Sequence, residues 1–372
     1  MNKRVLIVDD SAFMRRLLTE MIKEFPGFEV AGVARNGVEA VQQVLALQPD
    51  VVTMDVEMPI MDGLKALGEI MKLRPTPVIM VSSLTREGAD ATIQALMLGA
   101  VDFIAKPSGS ISAELGNKQN ELLVMLQAAA SSHQSVTKWG GEPPKRRALP
   151  AQTAAQTAAP AASVQRERKR TSPMISGICA VGTSTGGPKA LETLLTSLPE
   201  DLAVPVVVVQ HMPVKFTASL AQRLDQHAAL HVVEATHHQI LEPGNVYIAP
   251  GGKHMEIENT GAGSYRIVIS EHNTVNGHRP SVEVMFDSVT RLKGLKKGYV
   301  IMTGMGADGA QAMQRAKQAA FQSVTIAESE ATCVVYGMPR AAVELKCIDH
   351  ILPLPQIAGK IISIFHNISD NY

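Results

Sequence analysis

The chain has 372 residues, 45% of them hydrophobic, and a formal net charge of zero at pH 7. This length exceeds the usual size of one hydrophobic core, so we expect two globular domains. Because the chain is neutral, it has no overall electrostatic field that would favour binding to nucleic acid or to an anionic membrane. The cysteines Cys179, Cys333 and Cys347 lack paired spacing, which predicts reduced thiols and a cytoplasmic protein. No apolar run is long enough to span a bilayer, so we expect no membrane insertion.

Residues 1–128 alternate apolar runs, typical of buried strands, with patterns typical of helices. The apolar runs are Val5–Val8, Val30–Ala34, Val51–Met54, Val78–Val81 and Val101–Ala105. The helical patterns lie at Ala12–Phe25, Val38–Leu47, Gly63–Lys72 and Ala91–Leu98. Strands that alternate with helices in this way predict a doubly wound parallel sheet with helices on both faces.

Charged and hydroxyl side chains follow these strands at the points where the strands end. Asp9 and Asp10 follow the first strand, Asp55 ends the third, Ser82 follows the fourth and Lys106 follows the fifth. The carboxyl ends of parallel strands share one edge, where several carboxylates together suit Mg²⁺. We expect Mg²⁺ and Lys106 to stabilise a phosphoryl group that is transferred to Asp55, and Ser82 to hydrogen-bond that group.

Each of these residues also has a simpler interpretation, since Asp10 and Ser11 could only cap a helix and Lys106 could be a surface cation. The set is accompanied, however, by the motifs Asp-Val-Glu-Met-Pro at 55–59 and Met-Asp-Gly at 61–63. With these motifs, residues 1–128 resemble the response-regulator receiver family throughout. The resemblance implies a flavodoxin-like sheet and a sensor histidine kinase as the phosphoryl donor.

The same resemblance implies a role for each residue at this edge. Asp55 is then the phosphoacceptor and a Mg²⁺ ligand, together with Asp10, while Asp9 is an outer-shell acid. Lys106 is then the partner of the phosphoryl group, and Ser82 is the hydroxyl that switches on phosphorylation.

Residues 129–172 are predicted to be a flexible linker. Gln, Thr, Ser, Ala and Pro dominate this stretch, which lacks the apolar residues that would offset the entropy of ordering it. Basic clusters at 145–147 and 166–170 leave contact with a membrane or an acidic partner as an alternative, but a solvated tether explains them more simply.

A second alternating pattern over 173–367 predicts a Rossmann-like domain with its own doubly wound parallel sheet. Its clearest apolar runs are Ile178–Val181, Pro205–Val209 and Tyr299–Met302. Helices are expected at Pro188–Ser197, Phe216–Asp225, Val282–Leu292, Gly309–Ala320 and Met338–Val343. Met255–Glu258 and Tyr265–Ser270, separated by a glycine-rich turn, predict a β-hairpin inserted in the sheet.

Three residues at strand ends of this second half predict a serine acyl-transfer site. Ser184 lies in Gly-Thr-Ser-Thr-Gly at 182–186, which matches G-x-S-x-G, a tight turn that exposes a hydroxyl. His211 directly follows a four-valine strand, and Asp308 lies shortly after the strand that ends at Met302. If these ends share one edge, the hydroxyl, the imidazole and the carboxylate form a catalytic triad.

Alternatives remain for each member of this triad. Thr183 and Thr185 are rival hydroxyls, although only Ser184 is central between the two glycines, and Asp308 could simply cap the helix that follows it. The backbone amides of Thr185 and Met305 are our candidates for the oxyanion donors. The other histidines, including His254 and His278, lack metal-type spacing and are interpreted as surface residues.

The chain order of serine, histidine and aspartate differs from the order in α/β-hydrolases. The segments 182–187 (Gly-Thr-Ser-Thr-Gly-Gly), 210–213 (Gln-His-Met-Pro) and 303–309 (Thr-Gly-Met-Gly-Ala-Asp-Gly) resemble the chemotaxis protein-glutamate methylesterases, the CheB family. The resemblance implies hydrolysis of glutamyl γ-methyl esters on chemoreceptor helices, with release of methanol and without a cofactor. It also implies deamidation of receptor glutamines.

A receiver in front of an esterase suggests that the first domain covers the second until it is phosphorylated, in a chain that we expect to be monomeric. Two other functions stay open on the sequence alone. The second half could be a phosphorylation-dependent binding module, or it could hydrolyse small diffusible esters. A DNA-binding output is disfavoured because no helix-turn-helix pattern or basic recognition face is present.

Overall fold

A computed structural model describes residues 2–83, 85–106, 111–131, 175–261, 263–319 and 323–366, with the backbone alone for 111–118. These residues form two parallel sheets of five and seven strands and a separate two-stranded antiparallel sheet. The predicted linker at 129–172 lies outside the described residues, except that 129–131 complete a helix.

The first sheet has the strand order β2-β1-β3-β4-β5, as expected for a flavodoxin-like domain. Its strands are β1 (Lys3–Val8), β2 (Phe28–Ala34), β3 (Val51–Asp55), β4 (Val78–Ser82) and β5 (Asp102–Ala105). Its helices are α1 (Ala12–Lys23), α2 (Gly37–Leu47), α3 (Gly63–Leu73), α4 (Arg86–Leu98) and α5 (Ile111–Ser131). Side chains of α2, α3 and α4 pack on one face of the sheet, and those of α1 and α5 pack on the other.

Polar side chains fix the starts of the first four helices. Ser11, Asn36, Asp62 and Thr85 each accept a hydrogen bond from the backbone amide three residues further on. Such a cap satisfies one of the free amides of the first turn and stabilises a helix by about 1 kcal/mol. These capping residues therefore fix the residue at which each helix begins, next to the carboxyl ends of the strands.

The second sheet has the order β14-β13-β12-β6-β7-β9-β8, and all of its paired strands are parallel. Its strands are β6 (Gly177–Thr183), β7 (Val206–Gln210), β8 (His231–Glu234), β9 (Asn245–Ile248), β12 (Lys296–Ile301), β13 (Ser323–Glu328) and β14 (His350–Leu352). The helices are α6 (Gly187–Leu195), α7 (Phe216–Asp225), α8 (Val282–Arg291), α9 (Ala310–Gln318), α10 (Met338–Glu344) and α11 (Leu354–Phe365). Helices α6, α7 and α11 cover one face, and α8, α9 and α10 cover the other.

The predicted hairpin is present as β10 (His254–Gly261) and β11 (Ser264–Ser270). It forms its own antiparallel sheet, so the expectation that it is inserted in the main sheet is wrong. Its apolar side chains Met255, Ile257 and Ile267 are buried in the same core cluster as α8. A hairpin that packs with one face on a helix does not need a neighbouring strand to bury its apolar side chains.

The two domains contact each other through the edge of the first sheet. Helix α4 packs on α6 and α7. The ring of Phe103, on β5, stacks on that of Phe216, the first residue of α7, with 4.5 Å between the centroids. Because these contacts bury apolar side chains from both domains in one cluster, the interface is partly hydrophobic. Within the described ranges, no helix combines the length and the apolar character that crossing a bilayer requires.

Candidate active sites

The first candidate site lies where the strand order of the first sheet reverses, between β1 and β3. Asp9 and Asp10 follow β1 and Asp55 ends β3, and their carboxylate oxygens lie within 4.8 Å of one another. Lys106, which follows β5, places its Nζ 2.7 Å from Asp55 Oδ2 and 3.4 Å from Asp9 Oδ2. Four of the predicted residues are thus brought together.

Burial controls the electrostatics of this acidic site. It raises the pKa of Asp55 to about 6, and the neighbouring Asp9 adds to the effect, although hydrogen bonding to Lys106 opposes it. Burial likewise raises the pKa of Asp9, while the pKa of Lys106 is raised by its two carboxylate partners despite its own burial. Asp9 Oδ2 is buried and, among the described residues, makes no short hydrogen bond, only the longer ion pair with Lys106. Carboxylates held close together with so few donors fit a hard cation such as Mg²⁺.

Ser82, the fifth predicted residue, hydrogen-bonds away from the acidic cluster. Its Oγ lies 3.2 Å from the carbonyl oxygen of Gly88 and 2.7 Å from Oγ1 of Thr92, both in α4. The hydroxyl is therefore a contact between β4 and α4, and a move towards Asp55 would break that contact.

The second candidate site lies where the strand order of the second sheet reverses, between β6 and β12. Ser184 follows β6 directly, His211 follows β7, and Asp308 lies in the segment between β12 and α9. Because β7 and β12 flank β6 on either side, all three residues reach one edge of the sheet. This is the position at which open α/β sheets bind their ligands.

Asp308 holds the ring of His211. The carboxylate accepts five hydrogen bonds: from His211 Nε2 (2.9 Å), Asn276 Nδ2 (2.9 Å), Ser281 Oγ (2.9 Å), Val282 N (2.6 Å) and Glu283 N (3.3 Å). Burial alone would raise the pKa of Asp308, but hydrogen bonds from His211 and Asn276 outweigh it and lower the pKa to about 2. The carboxylate is therefore ionised, and a carboxylate can only accept, so His211 carries its proton on Nε2.

Asp308 does not cap the helix that follows it, which was the alternative from the sequence. The N-cap of α9 is Gly309, in a left-handed conformation with φ of 91°. The Asp308 carboxylate lies instead at the start of α8, where it accepts from the free amides of Val282 and Glu283. The positive end of that helix adds to the stabilisation of the negative charge.

A backbone hydrogen bond joins the segments that carry Ser184 and His211, where β6 and β7 end. The His211 amide donates to the carbonyl of Thr183, 3.2 Å away, one residue before Ser184. With Nε2 bonded to Asp308, the free nitrogen of His211 is Nδ1, which is buried and has no partner among the described residues. In the chymotrypsin arrangement the two nitrogens have the opposite roles. A base at this site would therefore use Nδ1.

The rival hydroxyls on either side of Ser184 are engaged elsewhere. Thr183 Oγ1 donates to the carbonyl of Thr303 at 3.0 Å, and Thr185 Oγ1 donates to Asp102 of the first domain at 2.5 Å. Within the described residues, the Ser184 hydroxyl makes no hydrogen bond. The geometry thus leaves Ser184 as the free hydroxyl of the turn.

The segment 303–306 lies directly against Ser184. The Ser184 amide donates to the carbonyl of Thr303 at 3.0 Å, and a Cβ on Gly304 would lie 2.8 Å from Cβ of Ser184. Glycine is required at 304 by this approach, which brings the amide of Met305 next to the serine turn. Neither this amide nor that of Thr185 donates to a described carbonyl, so both are available as oxyanion donors.

Residues that the sequence interpretation missed lie on a turn beside His211. The ring of His278 stacks on the ring of His211, with 3.7 Å between centroids and 7° between planes. Burial lowers the pKa of His278 to about 4. The surface interpretation was also wrong for His254, which is buried. An Asn-Gly pair at 276–277, which is a signal for a tight turn, could have drawn attention to this loop.

The first domain contacts the serine turn directly. Asp102 bonds the Thr185 hydroxyl, and the amide of Gly186 donates to the carbonyl of Val101 at 3.2 Å. Burial raises the pKa of Asp102 to about 6, against the hydrogen bond from Thr185. Both contacts fall within two residues of Ser184.

Both halves of the chain are similar to known protein families. The family model described as CheB methylesterase matches residues 179–361, and that of the response regulator receiver domain matches residues 5–113. A protein-glutamate methylesterase/protein-glutamine glutaminase of Geobacillus kaustophilus is 46% identical over 361 residues, covering 97% of this chain and 98% of its own length. Its namesake from Halalkalibacterium halodurans is 45% identical over 359 residues, covering 96% and 97%.

Among solved structures, the Thermotoga maritima CheB methylesterase catalytic domain is 39% identical, with 51% of this chain and 100% of that chain covered and a TM-score of 0.49. The near full-length sequence relatives carry the assignment. The chain belongs to the protein-glutamate methylesterase/protein-glutamine glutaminase (CheB) family of hydrolases, with a response-regulator receiver domain in front of the catalytic domain.

Proposed function

We propose that this protein is a phosphorylation-activated serine hydrolase that removes γ-methyl esters from glutamates of chemoreceptor helices and deamidates receptor glutamines. The observation that carries the proposal is the pairing of His211 with the five-fold bonded Asp308, beside the free hydroxyl of Ser184. Family membership supports the same chemistry.

In the proposed reaction, Ser184 Oγ attacks the γ-carbonyl carbon while its proton moves to Nδ1 of His211. The resulting oxyanion is held by the amides of Thr185 and Met305. When the carbonyl re-forms, the methoxy group leaves and takes the proton from Nδ1, which gives methanol. Water then attacks the acyl-serine with the same base, and glutamate and Ser184 are regenerated. A glutamine follows the same course with ammonia as the leaving group.

Asp308 acts on this reaction through His211. It keeps the ring in the tautomer with its free lone pair on Nδ1, and its negative charge stabilises the imidazolium that forms when Nδ1 takes a proton. General-base assistance of this kind contributes a factor of about 10²–10⁴ in rate. No cofactor takes part in the proposed hydrolysis.

The receiver domain would regulate the site by covering it. Asp102 and Val101 occupy the hydroxyl of Thr185 and the amide of Gly186, next to Ser184. If residues 129–172 act as a flexible linker, they give the two domains an effective concentration of about 1 mM. An interface with a dissociation constant near 0.1 mM is then closed in about nine molecules of ten. Phosphorylation then needs to supply only a few kcal/mol to open it.

The acidic site would start the opening. Asp9, Asp10 and Asp55 are suited to hold Mg²⁺, which supplies positive charge to a phosphoryl group on Asp55, and Lys106 adds its ammonium. If Ser82 turns towards the phosphoryl group, it gives up Gly88 in α4, the helix that packs on the catalytic domain. The packing of α4, which is an interface helix, would thus depend on the state of Asp55.

The partners of this function are methylated chemoreceptors as substrate and a sensor histidine kinase as phosphoryl donor, and we propose a cytoplasmic monomer. The test is methanol release from methylated receptor membranes, with and without acetyl phosphate and Mg²⁺, for wild type, Ser184→Ala and Asp55→Asn. We expect a stimulated rate for wild type, none for Ser184→Ala and an unstimulated rate for Asp55→Asn. A phosphorylation-dependent binding module, the alternative, would release no methanol with any of the three.

A further inference from the structure

Gln210 is a buried polar residue of the second site, and it has no role in the reaction as proposed above. It ends β7 directly before His211 and is 2% exposed. Its Nε2 donates to the carbonyl of Ser184 at 3.0 Å and to the carbonyl of His211 at 3.1 Å. One side-chain amide thus links the backbone of the nucleophile to that of the base, across 26 residues of sequence.

The orientation of this amide follows from its partners. Both contacts are carbonyl oxygens, which accept only, so the NH₂ group must face them. The other end, Oε1, is buried and has no hydrogen-bond partner among the described residues. An unpaired buried carbonyl destabilises the fold, which makes a purely structural role a poor explanation for this side chain.

Gly187, the first residue of α6, makes room for the amide. A Cβ at this position would lie 1.9 Å from Gln210 Oε1 and 2.6 Å from Thr183 Oγ1, both far inside contact distance. The Gly187 amide also donates to the carbonyl of Ser184 at 2.7 Å. The Ser184 carbonyl therefore accepts two hydrogen bonds, one from the turn and one from Gln210, and its peptide plane is fixed from two directions.

We propose that Gln210 is a positioning residue that fixes the Ser184 turn against the His211 turn, and that Gly187 is glycine so that this amide can reach them. The proposal rests on the proposed hydrolysis. Gln210 touches neither substrate nor the reacting atoms; it sets the relative placement of the two groups that exchange the proton. A displacement of about 1 Å between such groups costs up to about 100-fold in rate.

The first test compares Gln210→Met, which keeps the length and removes both donors, with wild type in methanol release under acetyl phosphate and Mg²⁺. We expect kcat to fall by about 10- to 100-fold while KM changes by less than about threefold, because substrate contacts are untouched. Equal kcat for the two proteins, or a fall that resides only in KM, would overturn the proposal.

Ser288→Ala is the matched control. Ser288 is also fully buried in the catalytic domain and also links two backbone groups, the amide of Ile257 (3.0 Å) and the carbonyl of Met285 (2.7 Å), but it lies on α8 away from Ser184. Its loss should lower the melting temperature with kcat within twofold of wild type. If Ser288→Ala lowers kcat as much as Gln210→Met does, the effect is general destabilisation and the positioning role is refuted.

The second test is a double-mutant cycle. Gly187→Ala should lower kcat by about tenfold in the wild-type background, but by less than about twofold when Gln210→Ala has already removed the amide that the new Cβ displaces. Additive effects would mean that Gly187 acts through Thr183 instead, and would overturn the link between Gly187 and Gln210.

A third readout separates this proposal from the proposed function. The side-chain ¹⁵N signals of His211, followed by NMR in a Ser184→Ala background, report the placement of the ring without any turnover. Gln210→Met should shift or broaden them, and Ser288→Ala should leave them as they are. If wild type releases no methanol, the proposed function fails, while unchanged His211 signals in Gln210→Met would refute the positioning role alone.

Discussion

The two candidate sites occupy the same place in two similar sheets, yet their carboxylates are held in opposite ways. Each site lies at the carboxyl edge where the strand order reverses, between β1 and β3 in one domain and between β6 and β12 in the other. Asp308 accepts five hydrogen bonds and its pKa falls to about 2, whereas Asp55 is bonded mainly by Lys106 and its pKa rises to about 6.

The difference shows how the surroundings of a carboxylate set its chemistry. A carboxylate whose lone pairs are fully used can hold an imidazole and stabilise its positive charge. One that is buried among other carboxylates with few donors remains ready for a cation or a phosphoryl group. We therefore propose that the same fold geometry holds an orienting acid in one domain and a phosphoacceptor in the other.

The largest expected effect is that of Asp308→Asn. The amide cannot accept all the hydrogen bonds that the carboxylate accepts, and it allows the His211 proton to move to the wrong nitrogen. We expect kcat for methanol release to fall by about 10⁴-fold, as for the corresponding change in serine proteases. Asp287→Asn, on the exposed side of α8, is the control and should stay near wild type. A loss of less than tenfold in Asp308→Asn would show that the acid does not orient the base.

Asp55→Asn should have the complementary result. Basal methanol release is expected to remain within twofold of wild type, while the increase of up to about tenfold on addition of acetyl phosphate and Mg²⁺ disappears, because about nine in ten molecules stay closed. Asp50→Asn, directly before the opposite end of β3, is the control. Stimulation that survives in Asp55→Asn would contradict the role of the acidic site.

Ionisation of the two carboxylates, Asp55 and Asp308, should also change the free energy of unfolding in opposite directions. The folded-state pKa of Asp55 is raised from 3.8 to about 6, so this group binds protons more tightly when folded and costs stability above pH 6. The pKa of Asp308 is depressed from 3.8 to about 2, so it contributes stability that is present above pH 4 and lost as the pH falls through 2.

Each of these shifts corresponds to about 1–3 kcal/mol. In calorimetry at pH 7.5 with EDTA, Asp55→Asn should raise the midpoint of the receiver transition by a few degrees, and Asp308→Asn should lower that of the catalytic domain. The receiver gain should vanish at pH 4, where Asp55 of the wild type is itself protonated. Shifts of the transition midpoint with the same sign in both variants would contradict the claim that the two carboxylates have opposite effects on stability.

The smallest effect is expected at the interface. Asp102→Asn weakens the bond to Thr185 and should raise basal methanol release about two- to fivefold without any phosphoryl donor, because the amide still accepts a hydrogen bond and the closed form loses only the difference between a charged and a neutral acceptor, about 1 kcal/mol. Glu87→Gln, on the exposed first turn of α4, serves as the control. An unchanged basal rate in Asp102→Asn would mean that this contact does not hold the domains together.

Much of the architecture was predictable because short apolar runs identify buried parallel strands. The ends of those strands placed Asp9, Asp55, Ser184 and His211 at the correct edges, since strand ends in a parallel sheet converge whatever the spacing in sequence. The strands β8, β9, β13 and β14 were not identified. The helices α5 and α11 were missed as well.

Other parts of the site depend on tertiary contacts that leave little trace in the sequence. The stacking of His278 on His211 and the contact of Asn276 with Asp308 come from one turn that crosses the sheet edge. The use of Nε2 rather than Nδ1 by Asp308 is a matter of ring orientation, which no spacing encodes. Likewise, the pairing of Asp102 with Thr185 joins two domains that the sequence shows only as neighbours along the chain.

The central claim is that Ser184 is a nucleophile covered by the receiver until Asp55 is phosphorylated. The most direct measurement is the rate at which a fluorophosphonate labels the full chain, with peptide mapping by mass spectrometry, in Mg²⁺ with and without acetyl phosphate. The account predicts labelling at Ser184, several-fold faster with the phosphoryl donor and unaffected by it in Asp55→Asn. Labelling at another residue, or at Ser184 with one rate in both conditions, would contradict it.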